Sequence, residues 1–223
     1  MTVRDRDHDL ALHLVTDDRI EFDVLVGVVD RAIAGGATIV QLRDKRATAR
    51  ELLERVIALT DVVDGRVPVV VDDRLDVVLA ARDAGARVDG VHLGQSDIPP
   101  LAARRLLGRD AIVGWTANEP AHLAAAAAMP SGTLDYLGVG VIRPTTTKPD
   151  HPPALGIDGF ARLAAATALP CVAIGGVAPG DVAPLRAAGA AGVAVVSAIC
   201  GAMDPAAAAR SFRTAAPAAE VLR

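Results

Sequence analysis

Short apolar, β-branched runs recur along this chain, and longer Ala/Leu-rich segments with helical spacing lie between them. This alternation constrains the fold more than any other feature. Runs at 10–16, 38–43, 67–72, 90–93, 111–115, 136–142, 171–174 and 192–197 predict strands. Segments at 49–63, 76–84, 100–107, 120–129, 157–166, 181–188 and 205–214 predict helices. Several of these open with Pro or Asp, and Gly follows others, as at Gly85, Gly108 and Gly189. Strands that alternate with helices pair in parallel through right-handed crossovers. Eight such units in 223 residues predict an α/β fold, a compact (β/α)8 TIM barrel, with a doubly wound open sheet as the alternative. The expected organisation is a disordered extension over 1–9 and one barrel domain over 10–223.

Hydrophobic residues make up 52% of the chain but aromatics only 2%, so Val, Ala and Leu must build the core. The formal net charge of −4 excludes the basic excess expected of a nucleic-acid binder. The two cysteines, Cys171 and Cys200, lack metal-ligand spacing and read as small buried residues of a reducing compartment. Residues 1–9 are charged and carry no apolar signal core, and no uncharged apolar run reaches about 18 residues. The expectation is a cytoplasmic protein with no membrane partner. The sequence leaves oligomeric state open, a homo-oligomer included.

In a barrel of this kind the strand C-termini form the active site, so the polar residues there carry the functional reading. Strand 2 exits through Gln41-Leu42-Arg43-Asp44-Lys45, where alternation puts Gln41, Arg43 and Lys45 on one side as an anion clamp. Strand 3 exits through Asp72-Asp73, and strand 4 through Gly94-Gln95-Ser96-Asp97. Carboxylates from two strand ends can share one Mg²⁺, although Asp72 and Asp97 could each cap a following helix instead. Thr116 follows strand 5. The run Pro144-Thr145-Thr146-Thr147-Lys148 follows strand 6 and suits a phosphate or diphosphate. Gly175-Gly176 after strand 7 and Val196-Ser197 after strand 8 occupy the usual phosphate loops of this fold. No histidine has ligand spacing, and no nucleophile–base pair stands out.

Seven motifs in order give these strand ends a specific likeness. They are Gln41-Leu42-Arg43-Asp44-Lys45, Val71-Asp72-Asp73-Arg74, the segments 89–97 and 135–140, Pro144-Thr145-Thr146-Thr147-Lys148, 173–177 and 192–199. Across about 10–212 the chain resembles the thiamine phosphate synthase family. That resemblance implies a transferase joining a hydroxymethylpyrimidine diphosphate to a thiazole phosphate, with Mg²⁺ as cofactor. It implies that Gln41, Leu42, Arg43, Asp44, Lys45 and Asp72 hold the pyrimidine diphosphate, and that Asp73 and Asp97 ligate the metal. Thr116 and Lys148 would contact the pyrimidine or diphosphate. Thr145 and Thr147 with Gly176, Val196 and Ser197 would line the thiazole phosphate side, Thr146 would belong to the substrate-binding run with no role of its own, and Arg43, Lys45 and Lys148 would be catalytic. The chain departs from the family pattern at Asp72, where Asn is commoner, at Thr116 in place of Ser, and at Val141 and Arg143. A TenI-like thiazole tautomerase and a non-catalytic thiazole or thiamine phosphate-binding barrel are the alternatives on this scaffold.

Overall fold

The computed structural model describes residues 8–145 and 153–215. Eight parallel strands close into a barrel in sequence order: β1 Leu12–Val15, β2 Ile39–Leu42, β3 Val69–Asp72, β4 Gly90–Leu93, β5 Ile112–Thr116, β6 Tyr136–Gly140, β7 Cys171–Ile174 and β8 Ala190–Val195. β1 pairs with β8 through Leu12–Val193, His13–Ala194 and Leu14–Val195, so the ladder has no edge. The helices are α1 Phe22–Ala34, α2 Ala49–Val63, α3 Leu75–Asp83, α4 Pro100–Leu107, α5 Pro120–Ala127, α6 Gly156–Ala164, α7 Val182–Ala187, α8 Ser197–Cys200 and α9 Pro205–Thr214. Of the extension expected over 1–9, residues 1–7 lie outside the described residues, and Asp9 Oδ1 accepts the Ala11 N–H.

Apart from shifts of a few residues at element ends, two features differ from the pattern read in the sequence. Helix α1 was not among the expected segments. Its Val24, Val26, Val28 and Val29 are β-branched and weaken the helical signal. Burial of Leu25, Val28, Val29 and Ala32 along one stripe offsets that preference. The last strand begins at Ala190 and stops at Val195, and Ser197 starts the single-turn α8. One turn is too short to show a period.

Strand alternation divides the core into two parts. One parity faces the helices, as with Leu12, Leu14, Val40, Leu42, Val69, Val71, Val91 and Leu93. The other fills the barrel with Val15, Ile39, Val70, Ile112, Tyr136, Val172 and Ala194. Gln41 and Asp72 continue the inward parity to the rim, so the same period that packs the barrel delivers polar groups to its mouth.

The opposite end is closed by polar caps. Thr38 Oγ1 accepts the Leu12 N–H at 3.0 Å. Asp89 Oδ2 accepts the Val69 N–H at 2.7 Å, and Asp135 Oδ2 the Val113 N–H at 2.7 Å. Each cap precedes an even strand and satisfies the odd strand before it. Arginines complete the arrangement: Arg82 donates to the carbonyls of Val88, Asp89 and Leu107, and Arg104 pairs with Asp135 at 2.5 Å and donates to Ala111 O. Arg104 and Asp135 side chains are each 10% exposed, so removing the carboxylate leaves a largely buried guanidinium charge with backbone carbonyls in place of its counter-ion. Asp135→Ala should lower unfolding free energy by about 3 kcal/mol, measured by urea denaturation; a loss below about 1 kcal/mol would show that the guanidinium finds another partner.

Candidate active site

The strand exits surround a cavity of about 620 Å³. It is lined on one side by Gln41, Arg43, Lys45, Asp72, Asp73 and Asp97, and on the other by Thr145, Gly175, Gly176, Val196 and Ser197. Thr116, His92 and Asn118 contribute between them.

Asp72, the last residue of β3, ties the cationic side together. Its Oδ1 accepts from Gln41 Nε2 at 2.7 Å. Its Oδ2 lies 3.2 Å from Lys45 Nζ and 3.6 Å from Arg43 Nε. Lys45 Nζ also pairs with Asp73 Oδ2. Asp73 holds φ +62°, a left-handed conformation that costs a non-glycine residue energy, and its N–H donates to His92 O at 2.8 Å. That bond ties the turn to the neighbouring strand.

Arg43 is held by its backbone. Its N–H donates to Thr16 Oγ1 at 2.9 Å, and the same hydroxyl donates to Arg43 O at 3.1 Å. Asp18 adds a third acid to this corner: its Oδ2 accepts the Lys45 N–H at 3.0 Å and lies 3.8 Å from Arg43 Nη1. The clamp is therefore fixed in place before any ligand arrives.

Neither acid caps a helix. The N-cap of α3 is Arg74 and that of α4 is Pro99, both without a side-chain cap bond. Asp97 Oδ2 instead accepts the Gly94 N–H at 2.7 Å within its own loop.

On the opposite side, Gly175 and Gly176 hold φ +92° and +67°. A Cβ on Gly176 would lie 2.8 Å from Arg143 Cβ and 2.9 Å from Arg143 O, so the turn needs glycine for both conformation and room. Arg143 pairs with Asp181 through Nε at 3.1 Å and through Nη2, and Asp181 Oδ2 also accepts the Ala178 N–H at 2.9 Å. Arg143 thus braces the β7 exit rather than lining the cavity. The first turn of α8 at Ser197 completes this side, where phosphate loops of the fold sit.

Two residues expected at the substrate are used elsewhere. Leu42 is 1% exposed and packs outward against the helices. Asp44 Oδ1 accepts the N–H groups of Arg46 and Ala47, each at 2.9 Å, and its Oδ2 pairs with Arg55 of α2. Burial pushes the Asp44 carboxyl up, but those N–H groups and the Arg55 guanidinium outweigh it and hold it below the ordinary carboxylate range. Alternation already puts both side chains opposite the clamp. Thr146, Thr147 and Lys148 lie outside the described residues.

The structure adds Asp18, His92, Gln95 and Asn118. Gln95 Nε2 donates to Thr116 O, and Asn118 Oδ1 accepts the Gly140 N–H at 3.1 Å. Asp17-Asp18 directly follows the first apolar run, so the strand-exit rule carries its signal. His92 lies inside a strand between the outward-facing Val91 and Leu93, so alternation turns it to the axis, but nothing local marks it as near the rim.

Comparison with known proteins adds to this geometry. The sequence profile described as thiamine monophosphate synthase matches residues 12–199. The thiamine-phosphate synthase of Azorhizobium caulinodans is 45% identical over 208 residues, 92% of this chain and 94% of that one. That of Xanthobacter autotrophicus is 48% identical over 213 residues, 95% and 97% of the two chains. Among solved structures, thiamine phosphate pyrophosphorylase from Pyrococcus furiosus superposes with TM-score 0.78 at 31% identity, covering 93% of this chain and 96% of that one. A 3-hexulose-6-phosphate synthase, at 18% identity and TM-score 0.70, shares the fold.

Because Asp72 offsets the charge of Lys45 and Arg43, Asp72→Asn should tighten the binding of inorganic diphosphate about fivefold. The amide oxygen can still accept from Gln41. Calorimetry would read the change, and unchanged or weaker binding would show that the carboxylate does not restrain the clamp.

Proposed function

Since this chain belongs to the thiamine monophosphate synthase family, we propose that its cavity joins hydroxymethylpyrimidine diphosphate to thiazole phosphate. The products are thiamine phosphate and diphosphate. What carries the reading is the division of one cavity into an amide-and-cation clamp at Gln41, Arg43 and Lys45 and a glycine turn at Gly175-Gly176 facing it. One half suits a diphosphate and the other a phosphate monoester. A tautomerase acting on the thiazole alone has no use for the clamp.

Arg43 and Lys45 bind the diphosphate oxygens; the family resemblance gives the same role to Lys148, which lies outside the described residues. The bond between the pyrimidine methylene carbon and the bridging oxygen breaks, and its electron pair leaves with the diphosphate. The thiazole nitrogen then gives its lone pair to that carbon. No proton moves, so the site works by positioning and electrostatics. That agrees with a cavity rim that carries cations and hydroxyls. Thr145 with Gly176, Val196 and Ser197 holds the thiazole phosphate.

Asp73 and Asp97 would hold Mg²⁺. The donor set fits, since hard carboxylate oxygens suit this ion, and Asp73 already carries a cation in the form of the Lys45 ammonium. Among the described residues no group of three or more His, Cys, Asp or Glu could hold a metal, so diphosphate oxygens and water would complete the ligands. The ion supplies charge neutralisation for the departing diphosphate. Among the described residues no helix is long and apolar enough to cross a membrane, which fits small soluble substrates.

Incubation with both substrates and Mg²⁺ should yield thiamine phosphate, read by chromatography. Thiazole phosphate binding without product would overturn the reading. In the same assay Asp97→Ala should raise the Mg²⁺ concentration for half-maximal rate about tenfold, the worth of roughly 1.4 kcal/mol of ligand contact; an unchanged Mg²⁺ titration would remove Asp97 from the metal site.

A further inference from the structure

Beneath the cavity floor, three side chains from three strands form a hydrogen-bonded chain that the reaction above leaves unused. Tyr136 opens β6 and is 1% exposed. Its hydroxyl lies 3.0 Å from His92 Nδ1, and the two rings stack at 5.5 Å and 25°. His92 Nε2 lies 3.0 Å from Thr116 Oγ1. His92 and Thr116 both line the cavity. The barrel leaves room for this chain at two glycines. A Cβ on Gly114 would sit 2.2 Å from Tyr136 Cζ and 2.6 Å from His92 Nδ1, and one on Gly138 would sit 3.0 Å from His92 Cε1.

The order of protons along the chain follows from Tyr136. Burial, with Asp72 and Asp135 nearby, pushes its phenol far above the ordinary range, so it keeps its proton. Among the described residues the hydrogen-bond partner of that hydroxyl is His92 Nδ1. His13 meets the Tyr136 ring edge-on at 5.1 Å, and its Nε2 makes no hydrogen bond among the described residues. Nδ1 of His92 must therefore accept. A neutral imidazole that accepts at Nδ1 carries its proton on Nε2. Nε2–H then donates to Thr116 Oγ1, and the Thr116 hydroxyl proton turns toward the cavity. The reverse order, or an imidazolium, would leave the phenolic proton buried without an acceptor.

We infer that Tyr136 and His92 are positioning residues that fix Thr116 as a hydrogen-bond donor, so that this part of the cavity selects an sp² ring nitrogen over a ring C–H or N–H. Such an acceptor is what a pyrimidine offers. The identity of the ring rests on the synthase reading; the proton order does not.

Nitrogen-15 NMR of the full chain at pH 8, with His92 assigned through His92→Asn, reads the tautomer directly. A bare Nδ1 and a protonated Nε2 are expected, and a protonated Nδ1 in the wild-type chain overturns the inference. Tyr136→Phe should populate both tautomers and raise KM for the pyrimidine diphosphate about tenfold, with KM for the thiazole phosphate unchanged. Thr116→Ser should keep the wild-type KM, and Thr116→Val should lose it to a similar degree. Tyr136→Phe with one tautomer and a wild-type KM would also overturn the inference. If that variant fails to fold, the wild-type spectrum still decides. A chain that makes thiamine phosphate yet carries Nδ1–H removes this inference alone. A chain without product but with Nε2–H removes the synthase reading and leaves the proton order standing.

Discussion

Closure of the parallel ladder between β8 and β1 is the constraint on which everything else here depends. Once eight strands share one ring, each residue has two choices, toward the helices or toward the axis. The axis is narrow, so inward positions are filled by side chains until the strands end. At the rim the filling stops and the same inward positions become a cavity wall. Gln41, Asp72, His92 and Thr116 are core positions by geometry and site positions by height.

The cavity is charged but internally compensated. Lys45 and Arg43 meet Asp72, Asp73 and Asp18. A cluster of bare cations would repel itself and soften the rim, whereas alternating charges fix each side chain. The cost falls on affinity, since an incoming anion must displace carboxylates from the ammonium. Among the described residues the opposite half lines the cavity without charge and uses backbone shape, with Arg143 turned away to brace the β7 exit through Asp181.

Much of the fold was legible in the sequence because strands buried on both faces are short Val-rich runs bounded by turns. Helices α2, α4 and α9 keep the boundaries their spacing predicts, with Thr48–Glu51, Pro100 and Asp204-Pro205 marking their starts. Helix α1 was hidden because its valines favour a strand locally and only tertiary burial overrides them. At the site, alternation sorted Gln41, Arg43 and Lys45 from Leu42 and Asp44 with no further information. The likeness to a family pulled Leu42 and Asp44 back in, because a motif is contiguous while a binding surface is not. The hydrogen-bond partners of His92 and Tyr136 stayed unread for another reason. A hydrogen bond between residues 44 positions apart is set by ladder register, which no local pattern encodes.

The caps at the bottom of the barrel repeat every two strands: Thr38 on β1, Asp89 on β3 and Asp135 on β5. The first three quarters of the ring are thus each sealed by a side chain of their own, at the end farthest from the chemistry. Stability and reactivity are then written in separate registers of the same strands. A mutation in a rim loop leaves every seal intact, which frees that loop to drift toward another phosphorylated substrate while the ring beneath holds its shape.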